Sequence, residues 1–249
     1  MKKQPGIIYI GTSNVVVPGN KSSFPVAFQS ASRLHYYSHL FNSVEVNSSF
    51  YKIPMRSTYQ KWADDVTDNF RFTIKLFRDI THHKTLRPDY SLITKFLSAA
   101  NGLGSKKGCL LIQFPGKITL DYYNEVEEIL KVLEAQDKDM TWRKAIEFRH
   151  PSWYIGEMYE LLSAYNITPV LHDKAKGKMI DIAVTTDFVY VRYHGPTGNY
   201  RETYSEHFLH QQAERINNWR QEGKDVYAYF NNTIGNAFEN AKFLQAILT

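Results

Sequence analysis

The side chains best suited to chemistry stand at the ends of apolar runs. The sharpest case is Lys144-Ala-Ile-Glu-Phe-Arg-His-Pro-Ser-Trp153, a short apolar stretch closed by an acid, a base, an imidazole and a proline. Read with a period of two, Ile146 and Phe148 point one way while Ala145, Glu147 and Arg149 point the other. Acid and base on so apolar a strand imply an interior polar site. Pro151 stops the strand, and residues 154–165 then read as a helix with Met158, Leu161 and Leu162 on one face. Barrels and doubly wound sheets keep their chemistry at such strand-to-helix junctions.

Seven further apolar runs must position the remaining groups. With 144–149 they give eight strands, at 7–13, 43–47, 70–75, 109–113, 168–173, 188–194 and 225–231. Helical segments fall between them near 32–41, 57–65, 89–102, 120–135, 154–165, 204–221 and 236–248. The sixth crossover, 174–186, has room for no more than a turn of helix. This alternation predicts a parallel sheet, and eight strands in this order predict a closed TIM-type (β/α)8 barrel, irregular at the sixth crossover. The length of 249 residues suits one such barrel, and the absence of a Pro- or Ser-rich linker makes 1–249 a single expected domain.

The alternation also sorts the two faces of the strands. Val44, Val46, Phe70, Phe72, Ile74, Leu110, Ile112, Ile146, Phe148, Val189 and Val191 form an apolar face for the helices. The opposite face turns polar toward its C-terminal end, with Ser13, Glu45, Asn47, Thr73, Lys75, Gln113, Glu147, Arg149, Arg192, His194, Tyr229 and Asn231. On the sixth strand the phase leaves either His172 or Asp173 to join them. At the strand tops Glu45, Glu147 and Asp173 balance Lys75, Arg149 and Arg192. Burying so many charges is costly unless they pair or bind something polar. They are therefore read as a ligand pocket, with an internal ion-pair network that merely closes the barrel as the bland alternative.

Composition narrows the classes. The net charge of +5 comes from scattered basic residues, with small groups such as 174–178, and permits an anionic ligand or nucleic acid without demanding either. The lone Cys109, opening an apolar strand, excludes an intramolecular disulfide and reads as a small buried residue. No run approaches the roughly 20 apolar residues of a membrane span. A reducing cytoplasm is the expected location.

In its motifs the chain resembles the DUF72, or YecE-like, family over nearly its whole length. The resemblance rests on Ile10-Gly-Thr-Ser13, Val44-Glu-Val-Asn-Ser-Ser-Phe-Tyr51, Phe70-Arg-Phe-Thr-Ile-Lys75 with Ile80-Thr-His82, and Leu111-Ile-Gln-Phe-Pro115. It continues through Ala145-Ile-Glu-Phe-Arg-His-Pro-Ser-Trp153, Val191-Arg-Tyr-His-Gly195 and Tyr227-Ala-Tyr-Phe-Asn-Asn-Thr233. It implies a β/α barrel with a site at these strand ends, and it implies no activity. Where the family typically continues with a Gly-Trp segment after Gly-Thr-Ser, this chain has Asn14-Val-Val-Val-Pro-Gly19.

Three chemistries fit these residues. The first is metal-independent acid–base work, as a hydrolase or isomerase, on a phosphorylated or polyhydroxylated small molecule. Glu147, Glu45, His194 and Asp173 are its candidate catalytic groups; Arg149, Lys75 and Arg192 hold an anion, and Asn47, Gln113 and Asn231 fix hydroxyls. Acids do not end strands four and seven, so the usual barrel-glycosidase arrangement is not met. The second is a divalent-metal phosphodiesterase acting on nucleic acid, drawing ligands from Glu45, Glu147, His150, His172, Asp173 and His194. No HxH or HExxH spacing occurs and Arg149 and Lys75 repel a cation, so no cofactor is expected. The third is a non-catalytic binding protein for an anionic ligand, with Tyr51, Trp153, Tyr154, Tyr200 and Tyr204 as stacking surfaces at the rim and the loop 195–198 as a phosphate cradle. A covalent imine through Lys75 is disfavoured, because neighbouring acids are expected to keep its amine protonated.

Overall fold

The structure, a computed structural model, describes residues 4–174, 184 and 186–248. Eight parallel strands run in chain order: β1 (Ile8–Thr12), β2 (Ser43–Val46), β3 (Arg71–Lys75), β4 (Lys107–Phe114), β5 (Arg143–Phe148), β6 (Ile167–His172), β7 (Phe188–Tyr193) and β8 (Asp225–Phe230). They form one sheet in the order β1-β8-β7-β6-β5-β4-β3-β2, which is the TIM-type (β/α)8 barrel that the eight apolar runs predicted. The expected helices are found as α1 (Arg33–Ser38), α3 (Arg56–Asp64), α5 (Ser91–Ala100), α6 (Tyr123–Gln136), α7 (Gly156–Ala164), α8 (Glu206–Gln221) and α9 (Ala237–Leu248). Two short helices not foreseen, α2 (Ser48–Tyr51) and α4 (Arg78–Thr81), fold directly over the ends of β2 and β3. Residues 175–183 and 185, which hold most of the sixth crossover and the basic group at 174–178 apart from Lys174, lie outside the described residues.

The strand faces divide as the alternation predicts. Val44, Val46, Phe72, Ile74, Leu110, Ile112, Ile146, Phe148, Val189 and Val191 join the large apolar layer beneath the helices, together with Phe96, Ile129, Leu162, Ile216 and Leu244 from those helices. The barrel interior is a separate cluster of Tyr9, Cys109, Leu111, Ala145, Val170, Phe188, Tyr190, Tyr227 and Tyr229. It is aromatic where such barrels are usually aliphatic. Tyr9 and Tyr227 stack at 4.6 Å near the N-terminal end, capped by Arg143 in ion pairs with Asp225 (2.6 Å) and Asp187 (3.2 Å). Higher up, the Tyr229 hydroxyl bonds the hydroxyls of Ser43 (2.6 Å) and Thr73 (2.7 Å), so a ring that fills the bore also has polar partners.

The barrel closes between β1 and β2 with a single bridge, Ser13 to Glu45, and side chains do the rest. The Tyr37 hydroxyl accepts from the Thr12 amide at 2.7 Å and reaches the Ser43 carbonyl at 3.2 Å. One turn lower, the Asn42 amide accepts from Ile10 N (2.9 Å) and donates to Ile8 O (2.7 Å), imitating a strand neighbour. Gly11 is required here, since a Cβ on it would stand 1.9 Å from Ser43 O and 2.8 Å from the Tyr37 hydroxyl.

Candidate functional site

The polar face reaches the C-terminal ends of the strands as a hydrogen-bonded network built around Arg192. On β7 the inward positions are Phe188, Tyr190 and Arg192, and the last of these places a guanidinium across the bore with 1% exposure. Its Nε donates to Glu45 Oε2 (2.9 Å) and its Nη2 to Glu45 Oε1 (2.7 Å), a bidentate grip, while its Nη1 donates to Glu147 Oε2 (2.6 Å). Glu45 also accepts from Ser13 Oγ (2.7 Å) and the Tyr190 hydroxyl (2.6 Å), and Glu147 from Arg149 Nε. Burial by itself raises the affinity of both carboxyls for a proton. Arg192, with the bonds from Tyr190 and Ser13, nevertheless holds Glu45 below its ordinary range, and Arg149 with Arg192 holds Glu147 well below it. Both glutamates are anions with their lone pairs in use, and neither is a proton donor at neutral pH.

His194, fully buried one residue past β7, touches this network edge-on. Asp173 Oδ1 accepts from the His194 amide (2.7 Å) and stands 3.2 Å from its Nδ1, while Arg192 and Arg149 approach Nε2 at 3.2 and 3.3 Å. Two guanidinium donors on Nε2 leave the proton on Nδ1, facing Asp173. Burial lowers the imidazole to about 4, against the pull of Asp173, so the ring is neutral. The ambiguity at the end of β6 resolves in favour of both residues. His172 shares the inward phase of Val170 and its ring meets that of His194, while Asp173, just beyond the strand, takes the outer edge of His194 and the Tyr204 hydroxyl.

Above this floor lies a more open ring. Lys75, the half-buried last residue of β3, donates from Nζ to Gln113 Oε1 (2.8 Å) and sits 4.1 Å from the centre of the Phe50 ring. Burial, then the charge of Arg192, lowers its amine to about 8, although Glu147 and Glu45 oppose this. Asn47, one step past the Val46–Ile74 pair, leaves Oδ1 buried without a partner. Arg149 is 14% exposed, and Tyr200 lies over His194 at 5.5 Å between ring centres. Asn231, one residue past β8, keeps the inward phase of Tyr227 and Tyr229.

Two expected rim residues are elsewhere. Trp153 is not at the rim: it is 0% exposed, stacks on the outward-facing Phe148 at 4.3 Å, and donates from Nε1 to Ile118 O (2.7 Å). It comes after Pro151, where strand alternation no longer tells direction, and it braces the turn that carries Arg149. Tyr204 is likewise interior, and Tyr51 is 68% exposed beside Phe50. Missed by the residue-by-residue reading were Tyr190, Phe50 and His82. Tyr190 was within reach, since it lies two residues before Arg192 and therefore on the same face. Among the described residues no three His, Cys, Asp or Glu side chains converge as a metal-ligand set; the glutamate oxygens a cation would use face arginines.

The family described as "Protein of unknown function DUF72" matches residues 9–249. The UPF0759 protein YunF of Bacillus subtilis is 27% identical over 97% of this chain and 95% of its own length. The UPF0759 protein YecE of Escherichia coli K12 is 28% identical over 52% of this chain and 46% of its own. Among solved structures, a DUF72 family protein from Thermotoga maritima superposes with a TM-score of 0.78 at 26% identity, over 97% of this chain and 99% of that one. One from Enterococcus faecalis has a TM-score of 0.78 at 22% identity, over 97% and 95%, a likeness of fold.

Proposed function

The chain belongs to the DUF72 family, and from that premise we propose that it is a metal-independent enzyme that binds a phosphorylated or polyhydroxylated small molecule at the barrel mouth. The observation that carries this reading is the contrast between the two layers. Below, the carboxylates of Glu45 and Glu147 are matched to guanidiniums; above, Lys75 has a neutral amide and an aromatic ring as partners, and Asn47 Oδ1 has none. A cation and a bare buried acceptor side by side suit an anion that also carries hydroxyls. Arg149 and Lys75 take the anionic group in this reading, and Asn47, Gln113 and Asn231 take hydroxyls.

The division of labour differs from the simplest acid–base scheme. Glu45 and Glu147 are ionised anchors that fix Arg192 and Arg149, and His194 is locked between Asp173 and the arginines. Lys75, with its amine lowered to about 8, is a group in this site that can exchange a proton near neutral pH. A thermal-shift screen on the native protein tests the proposal: ribose 5-phosphate, glucose 6-phosphate and inorganic phosphate are expected to raise the melting temperature more than ribose and glucose do. Equal shifts for neutral and phosphorylated sugars, or none for any, contradict it.

A further inference from the structure

We infer that Lys75 is a nucleophile that forms an imine with the carbonyl group of the bound molecule, so that the ligand is a phosphorylated aldehyde or ketone. This rests on the proposed anion-binding mouth, with Arg149 holding the phosphate and Lys75 turned from the anion to the carbonyl as the reacting group. Geometry limits how far the neighbouring acids keep Lys75 protonated. Glu45 is gripped on both oxygens by Arg192, and Glu147 is shared between Arg192 and Arg149. Neither acid pairs with the amine, which meets the Gln113 carbonyl oxygen at 2.8 Å and the face of Phe50 at 4.1 Å. Glu45 on β2, Gln113 on β4, Glu147 and Arg149 from β5, Arg192 on β7 and His82 after α4 surround it, and His82, lowered by burial and then by Lys75 to about 4, adds no counter-charge. With an amine near 8, roughly a tenth of the molecules carry free –NH2 at pH 7, against about one in a few thousand for an ordinary lysine near 10.4.

The position is suited to the reaction. Lys75 ends a strand whose backbone is tied on both sides, its carbonyl accepting from Ser49 Oγ at 2.7 Å, so the amine is presented from a rigid support while remaining half-exposed. The Gln113 oxygen holds Nζ by one proton and leaves the nitrogen lone pair, once a proton is lost, free to turn toward the mouth. In the step proposed, the free amine adds to the carbonyl carbon, a C–N bond forms, the C=O π pair moves onto oxygen, and that oxygen becomes a hydroxyl by taking the proton the nitrogen gives up. The hydroxyl takes one further proton from solvent and leaves as water while the nitrogen lone pair forms the C=N bond, giving a protonated imine. No oxidant or reductant enters, and the imine so formed draws electrons from the neighbouring carbon, which is what isomerisation or carbon–carbon cleavage at that carbon requires.

The test is reductive trapping. Native protein is treated at pH 7 with glycolaldehyde phosphate and sodium cyanoborohydride, digested, and each lysine followed by mass spectrometry, with and without inorganic phosphate. Lys75 should acquire the secondary-amine adduct at least about tenfold faster than the median lysine, with a pH midpoint near 8. Gln113→Glu, which restores a carboxylate partner, should slow Lys75 at pH 7 and leave it unchanged at pH 10. Labelling of Lys75 no faster than the surface lysines overturns the inference, whatever phosphate does in the thermal screen. Fast labelling that phosphate fails to slow upholds the nucleophile and tells against the anion-binding mouth.

Discussion

Arg192 satisfies two glutamates with one guanidinium, and the imidazole of His194 is held neutral against it. That has a consequence for pH. Burial places His194 at about 4 in the fold, while the unfolded chain titrates near ~6.5. Between those values the unfolded state binds a proton that the folded state refuses, so stability is complete above about pH 6.5 and declines as pH falls toward 4. The gap amounts to about 3 kcal/mol at full extent. Burial lowers His172 and His82 in the same direction, and the ionised Glu45 and Glu147 add their own loss at lower pH. Urea denaturation at pH 7 and pH 5 should therefore give a smaller difference for His194→Gln than for the native chain. An identical difference in both proteins contradicts a buried neutral His194.

The seam between β1 and β2 depends on side chains. Tyr37→Phe deletes the hydroxyl that serves Thr12 N and Ser43 O, leaving a buried amide and carbonyl short of a partner, so it should cost about 1–3 kcal/mol in urea denaturation. A loss within error contradicts the seam as described. This seam was hidden in the sequence, because helical periodicity places Tyr37 on α1 and tells nothing of its hydroxyl. The strands themselves were legible: Val44 and Val46, or Ile146 and Phe148, alternate with polar neighbours, and a period of two assigns their faces. For the same reason Glu45, Glu147 and Arg192 could be grouped before any contact was known. What alternation cannot reach lies past the strand ends. Trp153 follows Pro151 and turns outward onto Phe148; Phe50 lies on the short α2 and His82 just past the short α4, and nothing in their spacing announces that they stand by Lys75. Gly195 marks one such turn, since its φ of +99° and the 2.2 Å approach of Arg201 O to any Cβ fix the chain that brings Tyr200 over His194.

Across the barrel the polar groups separate into a sealed lower layer that ties strands together and a less buried upper ring, where the ligand is proposed to bind. Glu45 joins β2 to β7 through Arg192, and Glu147 joins β5 to the same residue, so three strands that are not neighbours are held across the bore. Loss of that guanidinium leaves the buried Glu45 without its cation and Glu147 with Arg149 alone, a change of about 3–5 kcal/mol. Lys75 belongs to the upper ring, and its removal strands no buried charge. The most direct measurement is the melting temperature of Lys75→Met and Arg192→Met at pH 7, each with and without ribose 5-phosphate. The account predicts that Lys75→Met melts close to the native protein but loses the stabilisation by ribose 5-phosphate, while Arg192→Met melts far lower even without ligand. A Lys75→Met protein as unstable as Arg192→Met, or one that keeps the full ligand shift, would contradict the division of the site into a structural floor and a binding mouth.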